Sequence, residues 1–193
     1  MKIFKALLIA GVLLTSISSY GSSITFTSST DDTCAGGCAT LDHDFYTYVD
    51  PGDSDELSGA IWIQPDGAWF VDDASYTVTE TELGTTEDSV LTSLNVSFDD
   101  DLIIYNGDDV IFDSLSEGIS SAWTQIIDVF DYLEDTIYIS SDDYLSFAVV
   151  NSLDYATGVV WKGSVEVPEP SVVLILGLAL IAFGVKRRQH SDL

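Results

Sequence analysis

Asp101-Leu102-Ile103-Ile104-Tyr105-Asn106-Gly107-Asp108-Asp109-Val110-Ile111-Phe112 is the stretch whose reading decides the fold. Leu102–Tyr105 and Val110–Phe112 are apolar, β-branched and aromatic runs. Asn106-Gly107 between them is the strongest short hairpin signal, because Asn and Gly adopt the left-handed backbone of a tight turn at least cost. Two antiparallel strands are therefore expected here.

Outward from this hairpin the same grammar repeats. Phe45–Val49 alternates, with Phe45, Thr47 and Val49 on one side. Gly59–Gln64 and Ala68–Val71 flank Pro65-Asp66-Gly67, a turn in which proline presets the first angle and glycine relaxes the last. Ser75–Glu80, Ser89–Phe98, Thr136–Ser140, Tyr144–Asn151 and Val159–Val167 are further candidate strands. Strands spaced ~8–12 residues apart imply an all-β sandwich or jelly roll. Trp123, Ile126, Ile127, Phe130 and Leu133 instead follow helical spacing. A short helix across one end of the sandwich would satisfy them, but strand-like neighbours on both sides make a strand the expected reading. Pro51 and Pro65 are the only prolines between Ser22 and Val167, and no solenoid repeat or long linker interrupts that segment.

The charge is segregated. The 193 residues carry 6 Lys and Arg against 32 Asp and Glu, a net charge of −26. Mean hydropathy is nevertheless +0.25. Lys2 and Lys5 lie at one end, Lys186, Arg187 and Arg188 at the other, and only Lys162 between. Of the acids, only Glu169 and Asp192 fall outside Ser22–Val167, which therefore has a net charge of −29. Such a segment cannot displace counterions from nucleic acid and is repelled by anionic lipid.

The ends read as addresses. Lys2 and Lys5 precede the apolar run Ala6–Leu14, and Ser19-Tyr20-Gly21 offers small residues at the −3 and −1 positions. That is the pattern of a secretory signal peptide cut between Gly21 and Ser22. The run is too short for a permanent span, which needs about 20 apolar residues. At the other end, Val167-Pro168-Glu169-Pro170 precedes the apolar run Ser171–Val185, roughly 22 Å long as a helix. Lys186, Arg187 and Arg188 follow and hold that end in the cytoplasm by the positive-inside rule. The prolines block helix continuation and leave an extended segment just outside the bilayer.

Val167-Pro168-Glu169-Pro170, the short span and the basic cluster together resemble the PEP-CTERM sorting signal of Gram-negative bacteria. Gln189–Leu193 makes the stub after the cluster slightly longer than usual. The resemblance implies recognition by an exosortase, a membrane cysteine transpeptidase, acting at or near Pro168-Glu169-Pro170. It also implies association with exopolysaccharide or biofilm matrix. The expected organisation is thus a signal peptide at 1–21, an acidic ectodomain at 22–166 and a sorting signal at 167–190. An N-terminal signal helix and a C-terminal transmembrane helix would flank one β domain. From Asn95 onward the order of features, including Phe98–Asp101, Asn106-Gly107, Trp123, Asp143–Asn151 and Thr157–Val160, is similar to galactose-binding-like jelly rolls. Ser141-Asp142-Asp143 stands where that pattern usually has Gly-Asn-Asn.

The inventory of reactive groups is thin. His43 is the one histidine of Ser22–Val167, lies between Asp42 and Asp44, and has no Gly-x-Ser-x-Gly elbow to serve. No phosphate loop or His/Cys metal spacing occurs. Cys34 and Cys38 are the only cysteines. Export makes a disulfide their expected state, and Gly36-Gly37 lets the chain turn back. Asp50, Asp53, Asp55 and Glu56 form the densest acidic loop. Calcium, which takes six to eight oxygens, is the ion such a loop or Asp99–Asp101 could hold. A solvated acidic loop is the simpler reading, and no cofactor is expected. Trp62, Trp69, Trp123 and Trp161 could stack on sugar rings; Trp62 alternates with Ile61 and Ile63 and so could face solvent, while core packing is the expected use of most of the four.

The expectation is a non-enzymatic exported surface or matrix protein, with exosortase as partner and transient contact with the inner membrane. A carbohydrate-binding module, calcium-assisted or not, is the alternative.

Overall fold

A computed structural model describes residues 21–34, 37–40, 48–65, 76–80, 83, 88–150, 157–167 and 177. Among the described residues twelve strands appear in chain order: β1 Ser22–Thr27, β2 Thr33–Cys34, β3 Cys38–Thr40, β4 Ile63–Pro65, β5 Tyr76–Thr79, β6 Ser89–Asp99, β7 Asp101–Asn106, β8 Asp109–Asp113, β9 Ile127–Asp128, β10 Tyr138–Ile139, β11 Leu145–Val150 and β12 Gly158–Val167. They form two antiparallel sheets. One has seven strands in the order β10-β6-β12-β4-β3, with β1 also on β12 and β9 on β6; the other has five in the order β2-β5-β11-β7-β8.

The sheets face each other across one core. Phe98, Val96, Val159, Trp161 and Val165 from the first meet Val78, Leu102, Ile104, Phe147 and Val149 from the second. All ten side chains are completely buried. The alternation that defines a strand supplies this layer, since inward residues recur every second position. β6 breaks that rhythm once. Its ladder to β12 shifts between Ser164 and Val165, where Ser93 and then Leu91 are the partners. Thr92 is the extra residue of this bulge, so Leu91 and Leu94, three apart, both point inward.

The central hairpin forms one residue later than its sequence signal. Asn106 pairs with Asp109, so Gly107 and Asp108 are the turn. Gly107 has φ 58, while Asp108 is not left-handed. Positive φ at the first central residue alone is the type II′ requirement, met by Gly-x.

The Trp123–Leu133 stretch is neither a strand throughout nor an α-helix. Ile127–Asp128 pairs briefly with Asn95–Val96, and Val129–Tyr132 closes a single 3-10 turn. The Asp128 carboxylate caps that turn by accepting from the Phe130 N–H. Its helical spacing arises because the segment serves two apolar clusters. Ile127, Val129, Phe130 and Leu133 pack on the main core, whereas Trp123 and Ile126 pack on a smaller cluster.

That smaller cluster lies on the outward face of the seven-stranded sheet. Leu57, Ala60, Trp62 and Val160 form it, with Tyr48 and Val49 against them. Ile63, next to Trp62, belongs to the main core, so the two residues face opposite ways as alternation requires. Segment 48–60 covers the outer face. Lys162 Nζ fastens the cover by donating to the Asp55 carbonyl at 2.9 Å and to Ser58 Oγ at 3.2 Å.

Ser23–Val167 forms one unit of the chain. The expected strand residues 45–47, the strand at Ala68–Val71, the Asp66-Gly67 turn, the signal helix and, apart from Gly177, the transmembrane helix lie outside the described residues. Among the described residues no helix is long and apolar enough to cross a membrane.

Candidate functional site

β12 is the described strand that the tail follows in sequence. It sits inside its sheet, with β6 on one edge and β4 and β1 on the other. Ser28 rivets that second edge: its N–H donates to the Trp161 carbonyl at 3.0 Å, and its hydroxyl donates to the Ile61 carbonyl at 2.7 Å. The Trp161 N–H returns a bond to Ser28 Oγ at 3.2 Å. Val167, the first residue of the expected sorting signal, is also the last residue of β12. Pro168, Glu169, Pro170, Lys186, Arg187 and Arg188 lie outside the described residues. At the other end, Ser22, the residue after the expected signal cut, opens β1, directly after Gly21.

Cys34 and Cys38 are joined by a disulfide with Cα atoms 5.1 Å apart. β2 belongs to the five-stranded sheet and β3 to the seven-stranded one. The bridge therefore spans the place where the chain changes sheets.

The structure does not gather Asp50, Asp53, Asp55 and Glu56 into a metal site. Asp50 Oδ1 accepts from the Gly52 N–H at 2.8 Å and caps a 3-10 turn at Pro51–Asp53. Glu56 Oε2 accepts from Ser54 Oγ at 2.8 Å. That bond leads the influences holding the Glu56 carboxyl below its usual range. Among the described residues, no group of three or more His, Cys, Asp or Glu side chains could hold a metal. The Asp50 carboxylate is thus engaged by the backbone of its own turn, and that of Glu56 by Ser54.

Trp62 is not an exposed sugar platform. It is 1% exposed, its indole N–H donates to the Val49 carbonyl at 2.8 Å, and the Tyr48 ring lies 4.8 Å away. Alternation does turn Trp62 away from the main core, but the segment over that face covers it. Trp69 and His43 lie outside the described residues.

The acidic corner where β6 passes into β7 is built. Asp99 Oδ2 accepts from Tyr48 Oη at 3.0 Å and Oδ1 from Ser121 Oγ at 2.9 Å. The Asp99 carbonyl accepts from Thr157 Oγ1, and the Asp100 carbonyl from the Ser121 N–H. Ser121 has φ 58, a left-handed angle rarely adopted outside glycine, held by these bonds. Burial pushes the Asp99 carboxyl up to about 6. Ser121 and Tyr48 oppose the rise, and Asp100 adds to it. Burial, Asp100 and Asp113 likewise raise Asp101. The Tyr76 hydroxyl, buried and donating to the Thr157 carbonyl at 3.4 Å, is raised too. Chemically this corner joins three distant chain segments through one carboxyl group. Sequence showed the acids; it could not show Tyr48, 51 residues away, closing on them.

Comparison with protein families places a match at residues 166–188, to the PEP-CTERM protein-sorting motif. The tail thus carries the class of signal that its residues resemble. Comparison with curated proteins and with solved structures found no match.

Proposed function

We propose that this chain is an exported, non-enzymatic surface or matrix protein, processed by an exosortase and associated with exopolysaccharide. The sorting motif at 166–188 carries the reading. The signal peptide delivers residues 22–166 across the inner membrane, the short apolar run holds the precursor there, and processing near Pro168–Pro170 separates the acidic β domain from its tail. The two-sheet sandwich, with its cross-sheet disulfide, supports a domain intended for an oxidising exterior. Deleting Pro168–Pro170 in cells that make the enzyme should leave a membrane-retained precursor. Normal conversion of that variant to the mature form overturns the proposal.

A second reading, a carbohydrate-binding module of jelly-roll type, draws support from two exposed tyrosines rather than from Trp62. Tyr138 and Tyr144 are 68% and 50% exposed. Their carbonyls accept from Asn106 Nδ2 at 2.8 Å and the Gly107 N–H at 3.0 Å, which sets both beside one turn. Pull-down of the full chain by insoluble polysaccharides, with and without calcium, tests it. Retention lost in a Y138A/Y144A variant supports it; no retention in either condition rejects it.

A further inference from the structure

The sorting-motif match begins at residue 166, inside β12, which runs to Val167. No spacer separates the folded domain from the signal. An enzyme that cuts a peptide bond must hold extended backbone on both sides of it, with main-chain groups free to pair. Inside a sheet both edges of a strand are already paired. Glu166 is opposite Val90 on β6; on the other edge of β12, β4 pairs at Val159 and β1 also joins the strand.

Two features make the last residues of β12 separable from the rest. The bulge in the β6–β12 ladder falls between Ser164 and Val165. Beyond it only Val165 and Glu166 pair with β6, against Leu91 and Val90, whereas Gly158–Ser164 form a longer uninterrupted ladder. Burial then sets the limit. Glu166 is exposed and Val167 half-buried, but Val165 is fully buried in the main core. Strand ends with little buried surface open locally far more often than the whole domain unfolds.

We propose that Glu166–Val167 is a fray point: release of Glu166 from β6 admits the processing enzyme, and Val165 stops the opening from spreading into the domain. This regulation rests on the sorting reading above. Processing then waits on a local opening of a completed sheet, and its rate follows the population of the open end.

The test uses the full chain in cells making the sorting enzyme, with precursor and product followed by pulse-chase. In V90C/E166C the cysteines face each other across the ladder and lock the end of β12 when oxidised. Conversion should be lost while the lock is closed and return on adding reductant to the rate of E166C alone, and V90C alone, outside the sorting signal, should convert like the unmodified chain. A Gly-Ser-Gly-Ser insertion after Val167 supplies the missing spacer. It should speed conversion of the unmodified chain and restore it to the locked variant. Conversion of the locked chain at the unmodified rate, or an insertion without effect, overturns the fray point. If deletion of Pro168–Pro170 leaves conversion intact, it is the sorting reading that fails.

Discussion

The rings of Phe147 and Trp161 stack with centroids 3.9 Å apart and planes 9° from parallel, one ring from each sheet. On its polar edge Trp161 donates from Nε1 to Glu80 Oε2 at 2.5 Å, and Glu80 is only 3% exposed. One residue thus packs the two sheets together and supplies a donor to the buried Glu80 side chain. A double-mutant cycle with W161F and E80L, read by urea unfolding, should return a coupling of about 1 kcal/mol, the usual net contribution of a buried hydrogen bond. Purely additive losses would show that the bond contributes nothing.

Asp99 sets a pH dependence. Its folded pKa, about 6, lies above the ordinary carboxyl value. The native state therefore binds the extra proton between about pH 4 and that value, and stability falls as pH rises through this window. After allowance for screening of a partly exposed group, the fall is about 1–2 kcal/mol. D99N removes the titration, so its stability should change less between about pH 4 and pH 7 than that of the unmodified chain. Equal slopes in the two proteins would remove Asp99 as the cause.

Gly163 is required by Phe26. A Cβ at 163 would lie 2.3 Å from Phe26 Cζ, and that ring is completely buried. G163A should lower stability by about 1–3 kcal/mol through overpacking, seen as a drop in Tm. G163A/F26L should recover part of the loss, because the smaller side chain vacates the space. A G163A protein as stable as the parent would refute the contact.

The disulfide closes a short loop between sheets. C34S should cost about 2 kcal/mol on the chain-entropy account. Reductant should lower the Tm of the parent toward that of C34S and leave C34S unchanged. A parent Tm indifferent to reductant would show that the bridge does not support the fold.

Gln64 is 1% exposed, and neither atom of its amide has a hydrogen-bond partner among the described residues. A methionine of similar volume carries no such desolvated group. Q64M should therefore raise stability by about 1 kcal/mol, measured by urea unfolding. A loss would mean that the amide is satisfied.

Local chemistry made much of this fold legible. The alternating runs at Ser89–Phe98, Leu102–Tyr105 and Val159–Val167 lie within β6, β7 and β12, because side-chain alternation and turn residues act over a few positions. The Asn106-Gly107 signal found its hairpin but missed the register by one residue, since Gly107 alone carries the left-handed angle. Trp62 shows the limit. Its facing was readable, yet its exposure depended on residues 48–60 crossing over it. The Tyr48–Asp99 and Ser28–Trp161 bonds likewise join residues 51 and 133 positions apart. No periodic pattern encodes such closures.

Lys162, the only Lys or Arg of Ser22–Val167, is tied into the cover over the outer sheet face. The exposed acids are thus left to mobile ions for neutralisation. Domains of this kind crowded into a layer would confine a dense cloud of small cations between them. The osmotic pressure of that cloud draws in water, and neighbours are held apart over roughly 8–10 Å at physiological salt. Such a layer behaves as a polyelectrolyte gel, swelling in fresh water and contracting in brine, through the missing positive charge alone.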